Sequence, residues 1–230
     1  MKTLRQSAFT LIEMLVVISI IAILAAFAVP ALTSALTKGQ MTGTMNNGRQ
    51  LYLAAQQMAL DGSANSDPNL VWPGNYTPIP NLQTYCQTLV QQDYLKAGDV
   101  QKLLSGPGAS CGVTSSGTGN TQTIVLSGTS ALKVYPVTEA DASNCIFAVS
   151  RNYTYDTALT PSTTAVPNNP YGDKGFIVQR KGGDASVLRS GNATVQAGNN
   201  SAFEAQVGKK PGEAQGTVTA NDPSPVLTQP

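Results

Sequence analysis

The feature that most constrains this chain is a single carboxylate at the head of a long apolar run. The residues Ala8-Phe9-Thr10-Leu11-Ile12-Glu13 lead into an uncharged stretch, residues 14–29, and Lys2 and Arg5 lie just before them. A helix satisfies its own backbone hydrogen bonds, so such a run can cross a lipid bilayer. Burying Glu13 there costs about 2.5–3.5 kcal/mol on insertion scales. The glutamate therefore needs a partner.

These residues resemble the class III signal of type IV pilins and type II secretion pseudopilins. In that family a short basic leader and a small residue precede Phe-Thr-Leu-Ile-Glu and an apolar helix. The resemblance implies that a prepilin peptidase cleaves between Ala8 and Phe9 and that Phe9 is then N-methylated. It also implies that Glu13 meets the N-terminal amine of a neighbouring subunit. Position 8 is alanine where most members have glycine, so a small residue is kept.

The same segment also satisfies the pattern of an ordinary secretory signal. A basic region, an apolar region and Ala26-Phe27-Ala28 would release a soluble domain that begins at Val29. Glu13 would interrupt the apolar region of such a signal, and the helical pattern continues past the supposed cut. The pilin-like interpretation is therefore favoured. The intact mass of the mature protein distinguishes the two, since the chain starts at Phe9 in one case and at Val29 in the other.

Helical patterning continues beyond the apolar run to about residue 61. Pro30 lacks a backbone donor and predicts a kink, and the family that the chain resembles also has a proline at this place. Gly39 and Gly43 predict local softening of the helix. Apolar residues at helical spacing predict a face that packs on a globular domain. These residues are Met41, Met45, Tyr52, Ala55 and Ala59.

The chain divides into five predicted segments. Residues 1–8 form the leader, residues 9–30 a transmembrane or filament-core helix, and residues 31–61 the amphipathic half of that helix. Residues 62–191 form a globular head. Residues 192–230 have few large apolar groups and are predicted to be a flexible tail. The resemblance implies an α+β pilin-like fold, in which the long helix, kinked at the proline, packs on a small antiparallel β-sheet.

Within the head, the pattern changes from helical to alternating. Residues 82–94 and 96–105 predict two short helices, the second capped by Asp99, and residues 110–121 predict a linker rich in Gly, Ser and Thr. Five short strands follow: residues 123–126, 131–137, 145–150, 175–180 and 185–189. One face of their sheet is expected to pack on the helix and the other to face water.

Three cysteines, Cys86, Cys111 and Cys145, follow the apolar helix, where an oxidising compartment would permit one disulfide. Three pairings are possible. Cys86 with Cys111 is favoured because both flank a compact, turn-rich segment, whose closure would contribute about 3 kcal/mol. The alternative is that all three remain buried thiols.

One stretch of the head could form part of a calcium site. Asn168-Asn169-Pro170-Tyr171-Gly172-Asp173 resembles the segment before the last strands of the major type II pseudopilins, where a nearby loop holds calcium. Asp173 and Asp184 could supply oxygen ligands, but the acidic cluster is thin. We favour turn residues here and predict neither a metal nor a cofactor.

Composition excludes several classes of function. The chain has no histidine to serve as a catalytic base or to activate a cysteine, so an enzyme is not expected. Charged residues make up 12% and the net charge is +1, so binding to nucleic-acid phosphates is not expected either.

The sequence therefore predicts a structural subunit of a type II secretion pseudopilus or a type IV pilus-like filament. It would be anchored by one helix in the inner membrane with its head in the periplasm. Its partners would be membrane lipid, the prepilin peptidase, an assembly platform, and copies of itself or other pilin-like subunits. A pseudopilin is favoured over an adhesive pilin. The alternative is a secreted or membrane-tethered binding module that uses an aromatic loop containing Trp72 and Tyr76.

Overall fold

The computed structural model describes residues 10–161, 171–223 and 226–227. The chain separates into two compact units, Met1–Gly39 and Gln40–Pro230. Helix α1 (Leu11–Asn65) has its first part in one unit and its last part in the other, and Pro30 lies inside it. The helix ends four residues beyond the predicted end, at Asn65 rather than residue 61. The kink at Pro30 stays a prediction.

The second unit combines short helices with two antiparallel sheets. Its helices after α1 are α2 (Leu82–Gln91), α3 (Ala97–Leu104) and α4 (Asn200–Gln206). Its strands are β1 (Cys111–Ser116), β2 (Thr123–Gly128), β3 (Leu132–Val134), β4 (Ile146–Ser150), β5 (Phe176–Arg180) and β6 (Ala185–Leu188). Strands β1 and β2 form one sheet, and β3-β4-β5-β6 form the other in that order. The α+β class expected from the sequence is confirmed.

The two central strands of the four-stranded sheet are buried on both of their faces. Every residue of its central strands β4 and β5 is buried. One core cluster joins the sheet to α1, α2 and α3, and it includes Leu51, Met58, Leu89 and Phe147. A second cluster lies around Tyr153, Tyr155, Phe176, Phe203 and Val207. The expectation that one sheet face is wet is therefore wrong.

The segment that covers the second core is the one predicted to be a flexible tail. Phe203 and Val207 of this segment are buried in that core. Its polar groups also have partners: Asp222 pairs with Lys133 at 2.7 Å and accepts a hydrogen bond from the Tyr135 hydroxyl at 2.6 Å. The described part of residues 192–227 is thus folded. A count of large apolar groups missed this because a few buried residues and satisfied polar groups hold the segment in place.

Arg180 on β5 ties this segment to the sheet. Its guanidinium is buried and donates to the backbone carbonyls of Gln206 and Val207 at the C-terminus of α4. It also donates to the Asp184 carboxylate. The last carbonyls of a helix lack partners within the helix, so a buried arginine satisfies them and counters the negative end of the helix dipole.

Two local predictions also differ from the structure. The linker predicted over residues 110–121 contains β1, whose residues pair with β2 from Cys111 opposite Gly128 to Ser116 opposite Thr123. The high content of Gly, Ser and Thr favours a linker over a strand, and β1 forms because it pairs with β2. Helix α3 is flanked by Lys96 at the N-cap position without a side-chain cap, and Asp99 lies in the first turn instead.

Two buried tyrosines offer a matched test of this core. The Tyr85 hydroxyl has no hydrogen-bond partner in the described part of the chain, whereas the Tyr52 hydroxyl donates to the carbonyl of Lys181 at 2.6 Å. An unsatisfied buried polar group costs about 1–3 kcal/mol. Tyr85→Phe should therefore leave the free energy of unfolding unchanged or raise it. Tyr52→Phe should lower it by about 1 kcal/mol.

Denaturation of the full chain in detergent, followed by tryptophan fluorescence, measures both variants, since Trp72 is the single tryptophan. Equal losses of stability in the two variants would contradict the assignment of Tyr85 as an unsatisfied group.

Candidate functional site

The start of α1 is organised by a reciprocal pair of polar residues. Thr10 precedes the first helical residue, Leu11. Its backbone N–H and its hydroxyl both donate to Glu13 Oε2, at 2.8 and 2.7 Å, and the Glu13 N–H donates to the Thr10 hydroxyl at 3.3 Å. This is a capping box, in which an N-cap threonine and a glutamate three residues later satisfy each other's backbone donors. The carboxylate also lies at the positive end of the helix dipole.

The role of Thr10 was missed by the sequence reasoning, although the pattern Thr-x-x-Glu before an apolar run is its known signal. Both hydrogen bonds to the carboxylate go to Oε2. An ionised carboxylate offers acceptor sites on two oxygens, so Glu13 can hold Thr10 and accept from a further donor at once. The cap therefore orients the carboxylate and leaves acceptor sites on it for a further hydrogen bond.

The helix that follows this cap is apolar on every side and unburied within its own chain. Every Leu, Ile, Val, Met and Phe side chain between Leu11 and Val29 is at least 48% exposed. The most apolar part of α1 has a mean hydropathy of 2.9, and by length and composition it can cross a membrane. An exposed apolar surface of this extent marks a membrane or protein interface.

The motif family described as the prokaryotic N-terminal methylation motif matches residues 3–29. The chain is type IV pilin-like. A type IV major fimbrial protein, FimA, of Dichelobacter nodosus is 36% identical over 75 residues, which are 33% of this chain and 47% of the relative. Another FimA of the same organism is 38% identical over 72 residues, which are 31% of this chain and 46% of the relative.

Both relatives are described as type IV major fimbrial proteins. The chain spans about half the length of the curated relatives that it matches. No solved structure matches it.

The structure places the predicted site residues in separate parts of the pilin-like chain. Glu13 and Pro30 both lie on α1, at its first turn and in its interior. The predicted cleavage site between Ala8 and Phe9 lies outside the described residues, as do Lys2 and Arg5. The proposed processing and assembly roles of these residues therefore stay predictions.

The predicted disulfide partners are two buried thiols. Cys86 on α2 and Cys111 on β1 belong to the same core cluster. The Cys111 N–H donates to the Ser105 hydroxyl at 3.2 Å, which fixes the start of β1 next to the end of α3. A disulfide between Cys86 and Cys111 stays a prediction. Cys145 is also a buried thiol, and its sulfur lies 3.7 Å from a carboxylate oxygen of Asp141.

Burial makes the second unit sensitive to alkali. It raises the pKa of Cys86 and that of Cys145 to about 12, and it raises the pKa values of Tyr85, Tyr135 and Tyr153. In an unfolded chain these groups ionise near their ordinary values, about 8.5 for cysteine and about 10 for tyrosine. The folded state therefore binds more protons above about pH 8.5, and stability falls as the pH rises from there towards 12.

We expect the helical circular dichroism of the full chain to be constant up to about pH 8. Between about pH 9 and 12 it should fall in the same transition in which phenolate absorbance at 295 nm rises. Phenolate formation by all tyrosines near pH 10 with an intact helical signal would contradict this coupling of burial and ionisation.

The aromatic loop covers the core and does not form an exposed binding pair. Trp72 is only 5% exposed, and its ring centroid lies 6.0 Å from those of Tyr52 and Phe147. Tyr76 packs edge-on against Tyr85 and donates its hydroxyl to the Asn69 carbonyl at 2.6 Å. Trp72 therefore belongs to the core, and Tyr76 packs beside it as a partly buried ring.

The two candidate calcium ligands are each engaged by a basic side chain. Asp173 pairs with Lys174 at 3.5 Å, and Asp184 pairs with Arg180. Asn168, Asn169 and Pro170 of the same stretch lie outside the described residues. Within the described ranges, no group of three or more acidic, cysteine or histidine side chains converges on a metal-sized site.

Proposed function

We propose that this chain is a structural subunit of a filament of the type IV pilin class, held in the inner membrane by α1 before assembly, with its head in the periplasm. One observation carries the proposal: the first part of α1 is apolar all round, unburied, and headed by the capped Glu13 within a methylation motif. A helix that is apolar on every side needs lipid or other helices around it. Lipid surrounds it before assembly, and copies of the same helix surround it afterwards.

Processing prepares the helix to be surrounded by copies of itself in the filament. A prepilin peptidase cleaves between Ala8 and Phe9, and Phe9 is N-methylated, so that the new amine lies directly before the cap residue Thr10. Lys2 and Arg5 keep the uncleaved leader on the cytoplasmic side. Removal of the leader takes away these charges and leaves one ammonium group at the helix start.

The pairing of opposite charges then fixes the position of each α1 helix relative to its neighbour in the filament. The Glu13 carboxylate, held through Oε2 by Thr10, accepts from the Phe9 ammonium of a neighbouring copy. Inside an apolar bundle each of these charges is costly alone, and only a well-placed pair with further hydrogen bonds repays the desolvation. Pro30, which lacks a backbone donor, allows α1 to bend as the copies pack and as the assembly platform extracts the subunit.

Within this class, we propose a type II secretion pseudopilus as the specific filament. Residues 94–108 resemble an insert of pseudopilin-like proteins, and residues 168–173 resemble the stretch before the last strands of the major pseudopilins. The fimbrial relatives match only about a third of the chain, so they support the broader class and not the specific filament.

Two measurements on the native host test the proposal. The intact mass of the membrane-extracted protein should correspond to a methylated chain that starts at Phe9, and a chain that starts at Val29 would overturn the function. Deletion of the gene that encodes this chain should block secretion and leave exoproteins in the periplasm. Loss of long surface fibres with normal secretion would instead assign the filament to a pilus.

A further inference from the structure

A cavity of about 250 Å³ lies where the end of α1 meets the loop that follows it. Its wall is formed by Ala59 on the helix and by Pro68, Val71 and Trp72 on the loop. Two carboxylate residues, Asp67 and Glu139, also line it, together with Gly62, Ser63, Ser66 and Asn75. The cavity thus combines an apolar floor with an acidic edge, which is the environment that the alkyl stem and charged head of a lysine or arginine require.

Backbone contacts hold this cavity open. Gly62 on α1 lies so close to the loop that a Cβ there would stand 1.7 Å from the Leu70 carbonyl oxygen. The Asp67 N–H donates to the Gly62 carbonyl at 2.9 Å. On the far side, the Asn75 side chain accepts from the Glu139 N–H at 2.8 Å. A site formed in advance in this way loses little conformational entropy when it is filled.

The negative charge of the cavity is not neutralised within the described residues. The ion pairs found there include neither Asp67 nor Glu139. Asp67 accepts from the backbone and side-chain amides of Asn69, at 2.9 and 3.1 Å. The nearby ammonium of Lys181 donates to the backbone carbonyls of Glu139 and Asp141, at 2.6 and 2.7 Å. That ammonium also lies 5.7 Å from the centre of the Trp72 ring, so this ring already faces one cation.

We propose that this cavity receives a lysine or arginine side chain from a neighbouring copy of the same chain. Charge complementarity supports this occupant, because Arg49, Lys96 and Arg151 are exposed and the described residues offer them no ion pair. A cavity on one copy that takes a side chain from a different surface of the next makes a heterologous contact. Such a contact repeats into an open helical array when the rotation between copies does not close a ring. The inference rests on the proposed filament function and names one contact between the heads.

The first experiment probes the cavity in the unassembled full chain in detergent. We use n-butylguanidinium as the probe and follow Trp72, the single tryptophan. Butylguanidinium should change the fluorescence saturably, and n-butanol, which has the alkyl chain without the charge, should not. The double variant D67N/E139Q should weaken binding of the probe at least about fivefold, or about 1 kcal/mol. The control D93N removes a carboxylate outside the cavity and should bind as the wild type does.

The second experiment tests the occupant in assembling cells. A photo-crosslinking amino acid at Val71 should yield a covalent dimer of the chain. D67N/E139Q should reduce that dimer about fivefold without changing leader cleavage. Ser63→Lys places a competing ammonium at the cavity from the last turns of α1 and should reduce the dimer to the same degree. It also keeps the test valid if the double variant folds poorly.

The outcomes separate this inference from the function on which it rests. An equal response to butanol, or unchanged probe binding in D67N/E139Q, overturns the cationic site. A crosslink to a different protein overturns the choice of a second copy. A mature chain that starts at Val29 overturns the filament function, and the fluorescence titration still decides whether the cavity binds cations.

Discussion

Glu13→Ala should abolish filament assembly while leaving membrane insertion and leader cleavage intact. In the proposed pairing, the change removes the acceptor for the neighbour's Phe9 ammonium and leaves that charge unpaired in an apolar bundle. Breaking a buried pair from one side costs about 3–5 kcal/mol. Each interface in the growing filament would then be weaker by a factor above about 100. Sheared filament yield, normalised to the amount of cleaved subunit in the membrane, measures the effect.

Two further variants separate the capping role that the structure shows for Glu13 from the charge-pairing role that we propose for it. Glu13→Gln keeps an acceptor for the Thr10 N–H and hydroxyl but removes the charge. Thr10→Val keeps the charge but removes the capping hydroxyl, a loss of about 1 kcal/mol of helix stability. We expect Glu13→Gln to fail as severely as Glu13→Ala, and Thr10→Val to assemble at reduced yield. Normal assembly of Glu13→Gln together with failure of Thr10→Val would show that the glutamate acts as a cap and not as a charge partner.

Gly62→Ala should strongly destabilise the second unit. In an open helix position, glycine to alanine stabilises by about 1 kcal/mol. At Gly62 the new Cβ would stand 1.7 Å from the Leu70 carbonyl oxygen and 2.7 Å from its carbonyl carbon. Backbone atoms cannot turn aside as a flexible side chain can, so the loop that carries Trp72 must move off the helix. We expect a loss of at least about 3 kcal/mol in the free energy of unfolding.

Gly43→Ala is the matched control, because it lies on the same helix and a Cβ there meets nothing within 4 Å. It should leave the stability unchanged or raise it by up to about 1 kcal/mol. Urea denaturation of both variants as full chains in detergent, followed by Trp72 fluorescence, gives the comparison. The same sign for the two changes would show that the close approach of helix and loop at Gly62 is wrong.

Local sequence was a reliable guide where the structure depends on neighbours along the chain. The long helix, the position of Glu13 in its first turn, the two short helices and most strands were predicted within a few residues. Thr10 could have been found as well, since its partner lies three residues away. Such features follow from hydrogen bonds and side-chain spacing within a few turns, which composition and periodicity report directly.

Contacts between distant segments decided the rest. Residues 192–227 look like a tail in sequence, yet Phe203, Val207 and Asp222 close the second face of the sheet. Strand β1 exists because β2 pairs with it. The sequence by itself determined an apolar helix headed by one acid, Glu13, because the residues that make up this helix are contiguous in the chain. Only the tertiary structure decided which polar groups are satisfied and where a cavity remains, because these depend on residues far apart in the chain that fold into contact.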